Sequence, residues 1–108
     1  MTKTPFFSIL IPTKPFTPGE VFAIGSVLQQ DFDDCEVVVC DNDDGHETEM
    51  VVDQFKDDKR IKYLRTGGLD MVDNWNYALE HSTGKYITVL EDKMVFYPNA
   101  LTELKKKF

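Results

Sequence analysis

The stretch EVVVCDNDDG, residues 36–45, joins a run of apolar residues directly to a strongly polar loop. Its apolar residues are consecutive rather than alternating, which predicts a strand buried on both faces of a sheet. Three other short segments are also rich in aromatic and β-branched residues, at residues 6–11, 61–64 and 86–90. We therefore predict three buried strands, one of which ends where the polar loop begins, and a shorter, partly alternating strand at residues 61–64.

Segments with helical periodicity lie after each predicted strand. The first begins with a capping-box pattern, in which Thr17 is the N-cap, Pro18 the first helical residue and Glu20 the capping partner. Helical spacing then predicts which apolar residues face the core. They are Val21, Ile24, Val27 and Leu28, then Val51, Val52 and Phe55, then Met71, Val72, Trp75, Ala78 and Leu79, and finally Leu101, Leu104 and Phe108.

The alternation of strand and helix predicts an α/β fold, with a doubly wound, mostly parallel sheet and helices on both faces. With 108 residues and 42% hydrophobic content, the chain has room for one such domain, over residues 1–108. Cys35 and Cys40 have no Cys or His partners at metal-ligand spacing, so we expect both to be reduced. No run approaches the ~18 apolar residues that span a bilayer, and no signal peptide is evident, so we expect a cytoplasmic protein.

Charge is unevenly distributed along the chain. There are 19 acidic and 12 basic side chains, and residues 15–55 contain eleven acids without a Lys or Arg. A nucleic acid would be repelled by this half, and the other half has no basic stripe with interleaved aromatic residues. We therefore expect no nucleic-acid partner.

The loops after parallel strands are where α/β sheets bind ligands. Here they are residues 12–14, 41–44, 65–68 and 91–93. The carboxylate of Asp41 can accept a hydrogen bond from a pyrimidine N–H or a ribose hydroxyl. The alternative for this loop is a solvated turn, with Asp44 capping the next helix. These loops nonetheless form the predicted binding edge.

Two adjacent carboxylates, Glu91 and Asp92, follow the fourth strand and have the oxygen ligands that Mg²⁺ or Mn²⁺ prefers. The alternative is an ordinary charged turn, in which Lys93 pairs with them. No G-x-G-x-x-G follows the first strand, and no G-x-x-x-x-G-K-[ST] occurs, so a dehydrogenase or a P-loop enzyme is disfavoured. His46 and His81 stand apart from any nucleophile motif and are expected at the surface.

Seven segments of the chain are informative when they are taken in order: FSILIPT (7–13), SVLQQDF (26–32), EVVVCDN (36–42), RIKYL (60–64), NYALE (76–80), TGKYI (83–87) and LED (90–92). Together they resemble family-2 glycosyltransferases with the GT-A fold, in the half of the domain that binds a nucleotide-diphosphate sugar. The resemblance covers nearly the whole chain. It implies inverting transfer of a sugar from a nucleotide donor, most simply a UDP-sugar.

The resemblance also implies roles for single residues. The implied donor-binding residues are Pro12, Thr13, Asp41, Gly67, Gly68, Asn76 and Lys93, and the implied metal ligands are Glu91 and Asp92. Glu91-Asp92-Lys93 takes the place of the family's Asp-x-Asp motif, which binds Mg²⁺ or Mn²⁺. Because Lys93 stands where the last Asp would be, our hypothesis is that its ammonium partly substitutes for the metal. Trp75 occupies the position of the family's usual Arg before Asn76.

In the family, the acceptor site and the catalytic base follow the Asp-x-Asp region, and this chain ends shortly after it. We therefore expect a truncated nucleotide-binding half that transfers no sugar by itself. Its full-length form could be peripheral to a membrane, and its exposed apolar surface could favour self-association. The alternative is a non-catalytic module that binds a small ligand or a protein. A phosphoacceptor receiver is disfavoured because Arg65-Thr66, and no Asp, follows the third strand.

Overall fold

The computed structural model describes residues 4–13, 18–30, 32–91 and 95–108. Within these ranges, four strands alternate with four helices. The elements are β1 (Phe7–Thr13), α1 (Glu20–Leu28), β2 (Cys35–Asp41), α2 (Glu47–Asp53), β3 (Ile61–Arg65), α3 (Met71–Glu80), β4 (Tyr86–Val89) and α4 (Ala100–Lys105). Helix α1 begins at Glu20 with Gly19 as its N-cap, two residues later than predicted, and Thr17 lies outside the described residues.

The four strands form one parallel sheet in the order β3-β2-β1-β4. Every connection between sequential strands passes through a helix, as parallel pairing requires. The prediction of an α/β fold with a parallel sheet and helices on both faces is confirmed.

The two faces of the sheet are covered differently. On one face, the odd-numbered residues of β1 and β2 pack with α1, α2 and Leu101 of α4 into the main core. Its buried members include Phe7, Ile9, Ile11, Ala23, Ile24, Val27, Val37, Val39, Val51 and Val52. On the other face, Leu10, Val38 and Cys40 pack against Ala78 of α3. The second core is smaller because α3 is the one described helix that covers it.

The prediction for the buried side of α3 is correct at Ala78 and wrong at the other four residues. Met71 and Val72 are 72% and 64% exposed, Trp75 is 39% exposed and Leu79 is 49% exposed. The buried residues are Asn74 and Ala78. Asn74 faces inward, where its side-chain oxygen lies 3.0 Å from the Thr66 hydroxyl oxygen. The apolar residues of α3 therefore lie on a side of the helix next to the side that contacts the sheet.

At the amino-terminal end of the sheet, the carboxylate of Glu36 in β2 connects β1 with the segment before β4. Its Oε2 accepts hydrogen bonds from the Ser8 hydroxyl and the Thr83 N–H, both at 2.5 Å. Lys62 lies 3.4 Å from its Oε1. The Gly84 N–H donates to the Ser8 hydroxyl at 2.7 Å, so β1, β2 and the segment before β4 share one network.

Two further findings concern the cysteines and the helices. Cys35 and Cys40 are buried and free, and burial, with the nearby charge of Asp41, raises the pKa of Cys40 to about 11. Both are therefore thiols at neutral pH. None of the described helices is long and apolar enough to cross a membrane.

Candidate functional site

The carboxyl ends of β1, β2 and β3 meet at one edge of the sheet. Thr13 lies opposite Asp41, and Asp41 lies opposite Arg65 in the strand register. Beyond the strands, the Asn42 N–H donates to the Thr13 carbonyl at 3.0 Å, and the Thr66 N–H donates to the Asp41 carbonyl at 2.8 Å. The first residues of the loops are thus fixed to one another.

Asp41 is fully buried and is held by partners within the chain. Its Oδ2 accepts a hydrogen bond from the Tyr63 hydroxyl at 2.5 Å and one from Arg65 Nη1 at 3.3 Å. Its Oδ1 accepts from the Asp43 N–H at 3.0 Å. Since a carboxylate offers about four acceptor positions, these three bonds leave little capacity for a ligand. Recognition of a base by Asp41 stays a prediction, and the contacts described show a structural role.

Tyr63 and Arg65 are the two side chains that donate hydrogen bonds to the Asp41 carboxylate. Burial and the hydrogen bond to Asp41 raise the pKa of Tyr63 to about 12, so its hydroxyl remains a donor at neutral pH. Arg65 Nη2 donates to the carbonyl of Gly45 at 2.8 Å, which fastens the acidic loop to β3. Asp44 in that loop is exposed, and the N-cap of α2 is His46, so the prediction that Asp44 caps α2 is wrong.

Asn42 organises the glycine loop. Its Nδ2 donates to the Leu69 carbonyl at 2.6 Å, and its Oδ1 accepts from the Leu69 N–H at 3.1 Å and the Thr66 hydroxyl at 2.9 Å. Between these anchors, Gly67 and Gly68 have φ of 69° and 81°. An added Cβ would meet no described atom within 4 Å at either glycine. The glycines therefore serve the left-handed backbone and leave open space beside the loop.

The hydroxyl oxygen of Thr13, Oγ1, is the one buried side-chain polar atom among the described residues that has no hydrogen-bond partner within them. Thr13 is 1% exposed. Buried hydroxyls are nearly always paired, because an unmade hydrogen bond costs free energy. Pro12 beside it is partly buried. Thr13 Oγ1 thus has unused hydrogen-bonding capacity at the predicted binding edge.

The predicted metal ligands are only partly described. Glu91 follows β4 at the same edge and is exposed, whereas Asp92 and Lys93 lie outside the described residues. Within the described ranges, no cluster of three His, Cys, Asp or Glu side chains has the geometry of a metal site. The described residues alone do not assemble a set of metal ligands, and the metal stays a prediction.

Asn76 is the predicted residue that the structure does not bring to this edge. It is exposed on α3 and, with Met71, Val72 and Trp75, lines a shallow depression of about 300 Å³. The residues that sequence reasoning missed are Asn42, Tyr63, Thr66 and Asn74. Tyr63 stands two residues before Arg65 in β3, so both point to the same face, which is a signal that could have found it.

A parallel α/β sheet with such groups gathered at its carboxyl edge is the architecture of nucleotide-binding domains. The chain belongs to glycosyl transferase family 2, whose model matches residues 8–108. It is 33% identical over 106 residues to a GalNAc(5)-diNAcBac-PP-undecaprenol β-1,3-glucosyltransferase of Campylobacter jejuni, covering 95% of this chain and 34% of that protein.

Solved structures show the same GT-A fold. The mannosyltransferase PcManGT of Pyrobaculum calidifontis, in complex with GDP-Man and Mn²⁺, aligns with TM-score 0.83 at 22% identity, over 97% of this chain and 32% of that one. S. aureus TarS with UDP-GlcNAc aligns with TM-score 0.75 at 22% identity, over 93% and 30% of the two chains. This chain thus spans about a third of the length of the relatives and structures it matches.

Proposed function

We propose that this chain is the donor-binding region of an inverting family-2 glycosyltransferase, and that it binds a nucleotide-diphosphate sugar at the carboxyl edge of its sheet. The observation that carries the proposal is the junction of β1, β2 and β3, where Thr13 Oγ1, beside Asp41 and the glycine loop, has no hydrogen-bond partner among the described residues. Family membership supports this use of the edge. PcManGT in complex with GDP-Man and TarS in complex with UDP-GlcNAc support a nucleotide sugar as ligand.

In this proposal the nucleotide base lies near Thr13. The Thr13 hydroxyl can donate to a ring carbonyl or accept from a ring N–H, since it does neither within the described residues. Asp41 acts mainly by fixing the strand ends through Tyr63 and Arg65. A uracil ring presents both an N–H and carbonyl groups, so it can pair with this hydroxyl, and we expect a UDP-sugar to bind.

The diphosphate belongs near the open side of Gly67 and Gly68, toward the end of β4. Glu91 and Asp92 would hold Mg²⁺ or Mn²⁺, which when bound neutralises the charge of the departing diphosphate. Lys93 stands where the family's motif has an Asp, and its ammonium would supply part of that positive charge. We therefore expect donor binding to depend only weakly on a metal ion.

Transfer itself needs an acceptor site and a carboxylate base that deprotonates the acceptor hydroxyl. Asp41 is buried and hydrogen-bonded three times, and we assign Glu91 to the metal, so neither carboxylate is free to act as the base. We expect the isolated chain to bind the donor without measurable sugar transfer. Turnover of any nucleotide sugar by the isolated chain would overturn that part.

Calorimetric titration of the chain with UDP-GlcNAc, UDP-glucose and GDP-mannose tests the proposal, each in EDTA and in Mn²⁺. We expect UDP-sugars to bind in both conditions and Lys93→Asp to make binding depend on Mn²⁺. Strict Mn²⁺ dependence of the unsubstituted chain would refute the role of Lys93 alone. Failure of all three donors to bind in either condition would refute the donor site and leave the non-catalytic module. Glu103→Gln, at an exposed position on α4, is the control.

A further inference from the structure

Asn42 is the first residue after β2 and is bonded to two different parts of the carboxyl edge. Its backbone N–H donates to the Thr13 carbonyl at 3.0 Å, which extends the pairing of β2 with β1 by one residue. Its side chain is bonded to both backbone groups of Leu69, the carbonyl at 2.6 Å and the N–H at 3.1 Å. Because Asn42 is only 1% exposed, these bonds are shielded from water. Asn42 thus connects β1 to the segment that leads into α3.

The glycine loop, residues 66–69, is held at its two ends by two consecutive residues. At its start, the Thr66 N–H donates to the Asp41 carbonyl at 2.8 Å. At its end, Leu69 is bonded to the Asn42 side chain. The two glycines between these ends both have left-handed backbone. Since glycine populates many backbone conformations, a loop of two glycines holds one of them only when its ends are fixed. The position of the two glycine peptides therefore depends on Asn42.

The glycine loop also has backbone donors to offer a ligand. The N–H groups of Gly67 and Gly68 make no hydrogen bond within the described residues, and both glycines are exposed. Successive backbone N–H groups in a turn can form a concave site for an anion. The space beside them is open, because an added Cβ at either glycine would meet no described atom within 4 Å. These two N–H groups are therefore suited to bind phosphate oxygens.

We propose that Asn42 is a positioning residue, which sets the distance between a base subsite at Thr13 and a diphosphate subsite at Gly67 and Gly68. This inference rests on the proposed nucleotide site. The backbone of Asn42 is fixed on β1 beside Thr13, and its side chain fixes the glycine loop, so one residue determines the position of both subsites. A nucleoside diphosphate gains affinity when it reaches both at once, because binding of its second group is then intramolecular. Asn42 itself touches no part of the nucleotide and acts through the loop.

The side chain at position 42 must both donate and accept, because Leu69 presents a carbonyl and an N–H to it. An amide satisfies both groups, whereas a carboxylate would offer acceptors only. Thr66 supports this arrangement, since its hydroxyl oxygen lies 2.9 Å from Asn42 Oδ1 and 3.0 Å from Asn74 Oδ1. Asn42→Ala therefore separates the two connections. The backbone bond to Thr13 remains, and the hold on Leu69 is lost.

NMR titration of the chain with uridine, inorganic pyrophosphate and UDP, all in EDTA, tests the role of Asn42. Asn42→Ala should reduce the affinity for UDP by about tenfold, which is the order of one hydrogen bond to a charged group. The affinity for uridine, which has no phosphate, should stay within about twofold. A side chain that only stabilises the fold would change both affinities together or change neither. A ratio of UDP affinity to uridine affinity that is the same with and without the Asn42 amide would overturn the proposal.

Gln30 provides the matched control, because its buried amide makes the same pair of contacts elsewhere. Its Nε2 donates to the Tyr97 carbonyl at 2.7 Å, and its Oε1 accepts from the Leu101 N–H at 3.1 Å. Gln30 lies between α1 and β2, at the amino-terminal end of the sheet and away from the proposed site. Gln30→Ala should therefore destabilise the chain and leave the ratio of UDP affinity to uridine affinity unchanged. An equal fall of this ratio in Gln30→Ala and Asn42→Ala would refute a specific role of Asn42.

Circular dichroism checks that each variant is folded at the temperature of the titration. If Asn42→Ala is not folded, Thr66→Val is the milder variant, because it keeps the backbone bond to Asp41 and removes only the hydroxyl beside the Asn42 amide. Thr66→Val should lower the ratio of UDP affinity to uridine affinity by about threefold. An unchanged ratio in Thr66→Val would then count against the proposal.

The amide signals of Gly67 and Gly68 distinguish failure of this inference from failure of the proposed function. UDP and pyrophosphate should shift both signals, uridine should shift neither, and Asn42→Ala should weaken the response to pyrophosphate. Binding of UDP without a shift of the two signals would overturn the role of the loop and of Asn42 and leave the nucleotide site in place. Failure of both uridine and UDP to bind would refute the nucleotide site itself, and this inference with it.

Discussion

The buried polar groups at the two ends of the sheet differ in how completely they are hydrogen-bonded. At the amino-terminal end, Glu36, Ser8, Thr83 and Gly84 satisfy one another in a single network. At the carboxyl-terminal end, Asp41 is equally well satisfied, yet Thr13 Oγ1 beside it has no partner among the described residues. The chain therefore contains a carboxylate network at both ends of β2, and unused hydrogen-bonding capacity at one of them. That difference separates the end that stabilises the fold from the end at which we propose that a ligand binds.

The largest effect should come from closing the space at Gly84. A Cβ there would lie 2.6 Å from Ser8 N and 2.8 Å from Phe7 C, and against the Ser8 hydroxyl as well. Because backbone must move, Gly84→Ala should lower the free energy of unfolding by about 3 kcal/mol. Urea denaturation followed by circular dichroism measures it.

Gly67→Ala is the matched control for that change. A Cβ at Gly67 meets no described atom within 4 Å, so only its φ of 69° is unfavourable. We expect a loss of about 1 kcal/mol. If Gly84→Ala cost no more than Gly67→Ala, the close packing at the amino-terminal end would not determine stability.

Asp41→Asn should give the next largest effect, now at the carboxyl-terminal end. The amide loses the ion pair with Arg65 and presents one acceptor where the carboxylate presents two. We expect the free energy of unfolding to fall by about 2 kcal/mol, since the hydrogen bonds from Tyr63 and Asp43 lose their buried, charged acceptor. Thermal denaturation of Asp41→Asn and of the exposed control Asp44→Asn measures the difference. Equal melting temperatures for the two variants would show that the Asp41 network contributes nothing to stability.

Glu36→Gln should have a smaller effect that depends on pH. Burial acts to raise the pKa of Glu36, but the hydrogen bonds from Ser8 and Thr83 and the charge of Lys62 outweigh it and lower the pKa below its ordinary 4.5. The folded chain thus releases this proton more readily than the unfolded chain, so the stabilisation is present above that value and is lost as pH falls below it.

At pH 7 we expect Glu36→Gln to cost about 1 kcal/mol. The variant should lose less stability than the unsubstituted chain between pH 5 and pH 3, a range taken from the ordinary pKa of 4.5. Denaturation curves over this range measure the slope. Asp58 remains in both chains, and its pKa is also lowered, chiefly by the hydrogen bond from Arg60, so some acid sensitivity should persist. Parallel slopes for the two chains would contradict the assignment to Glu36.

The fold was predictable because its signals are local. Runs rich in apolar and β-branched residues locate the strands, and the helices between them permit parallel pairing. The order β3-β2-β1-β4 and the partners of Asp41 were not predictable in this way, because Tyr63 and Arg65 lie 22 and 24 residues away in the chain. Periodicity located the apolar stripe of α3 correctly but could not show what covers it, since Asn74 is buried through a contact with Thr66 in another loop.

The candidate site was predictable as a location rather than as a set of contacts. The ends of the predicted strands located Thr13 and Asp41, and the pair of glycines located the loop whose backbone is left-handed. Asn42 was missed because its function depends on Leu69, 27 residues away. A polar residue after a strand is equally typical of a solvated turn, so the sequence alone could not show that its side chain is buried.

The smallest effect on stability, and the sharpest test of the comparison, should come from Thr13→Val. Its hydroxyl makes no hydrogen bond within the described residues, so removing it should change the free energy of unfolding by no more than about 0.5 kcal/mol. Thr48 provides the matched control, because its buried hydroxyl donates to Glu20 Oε1 at 2.6 Å. Thr48→Val should therefore lower stability by about 1–2 kcal/mol.

Nucleotide affinity should show the opposite order. Thr13→Val removes the hydroxyl that we propose contacts the base, so the affinity for UDP should fall by about fivefold, whereas Thr48→Val should leave it unchanged. Calorimetric titration with UDP measures both variants at a temperature where each is folded. If Thr13→Val destabilised the chain as much as Thr48→Val and left UDP affinity intact, the Thr13 hydroxyl would serve the fold. The polar groups at the two ends of the sheet would then both serve to stabilise the fold.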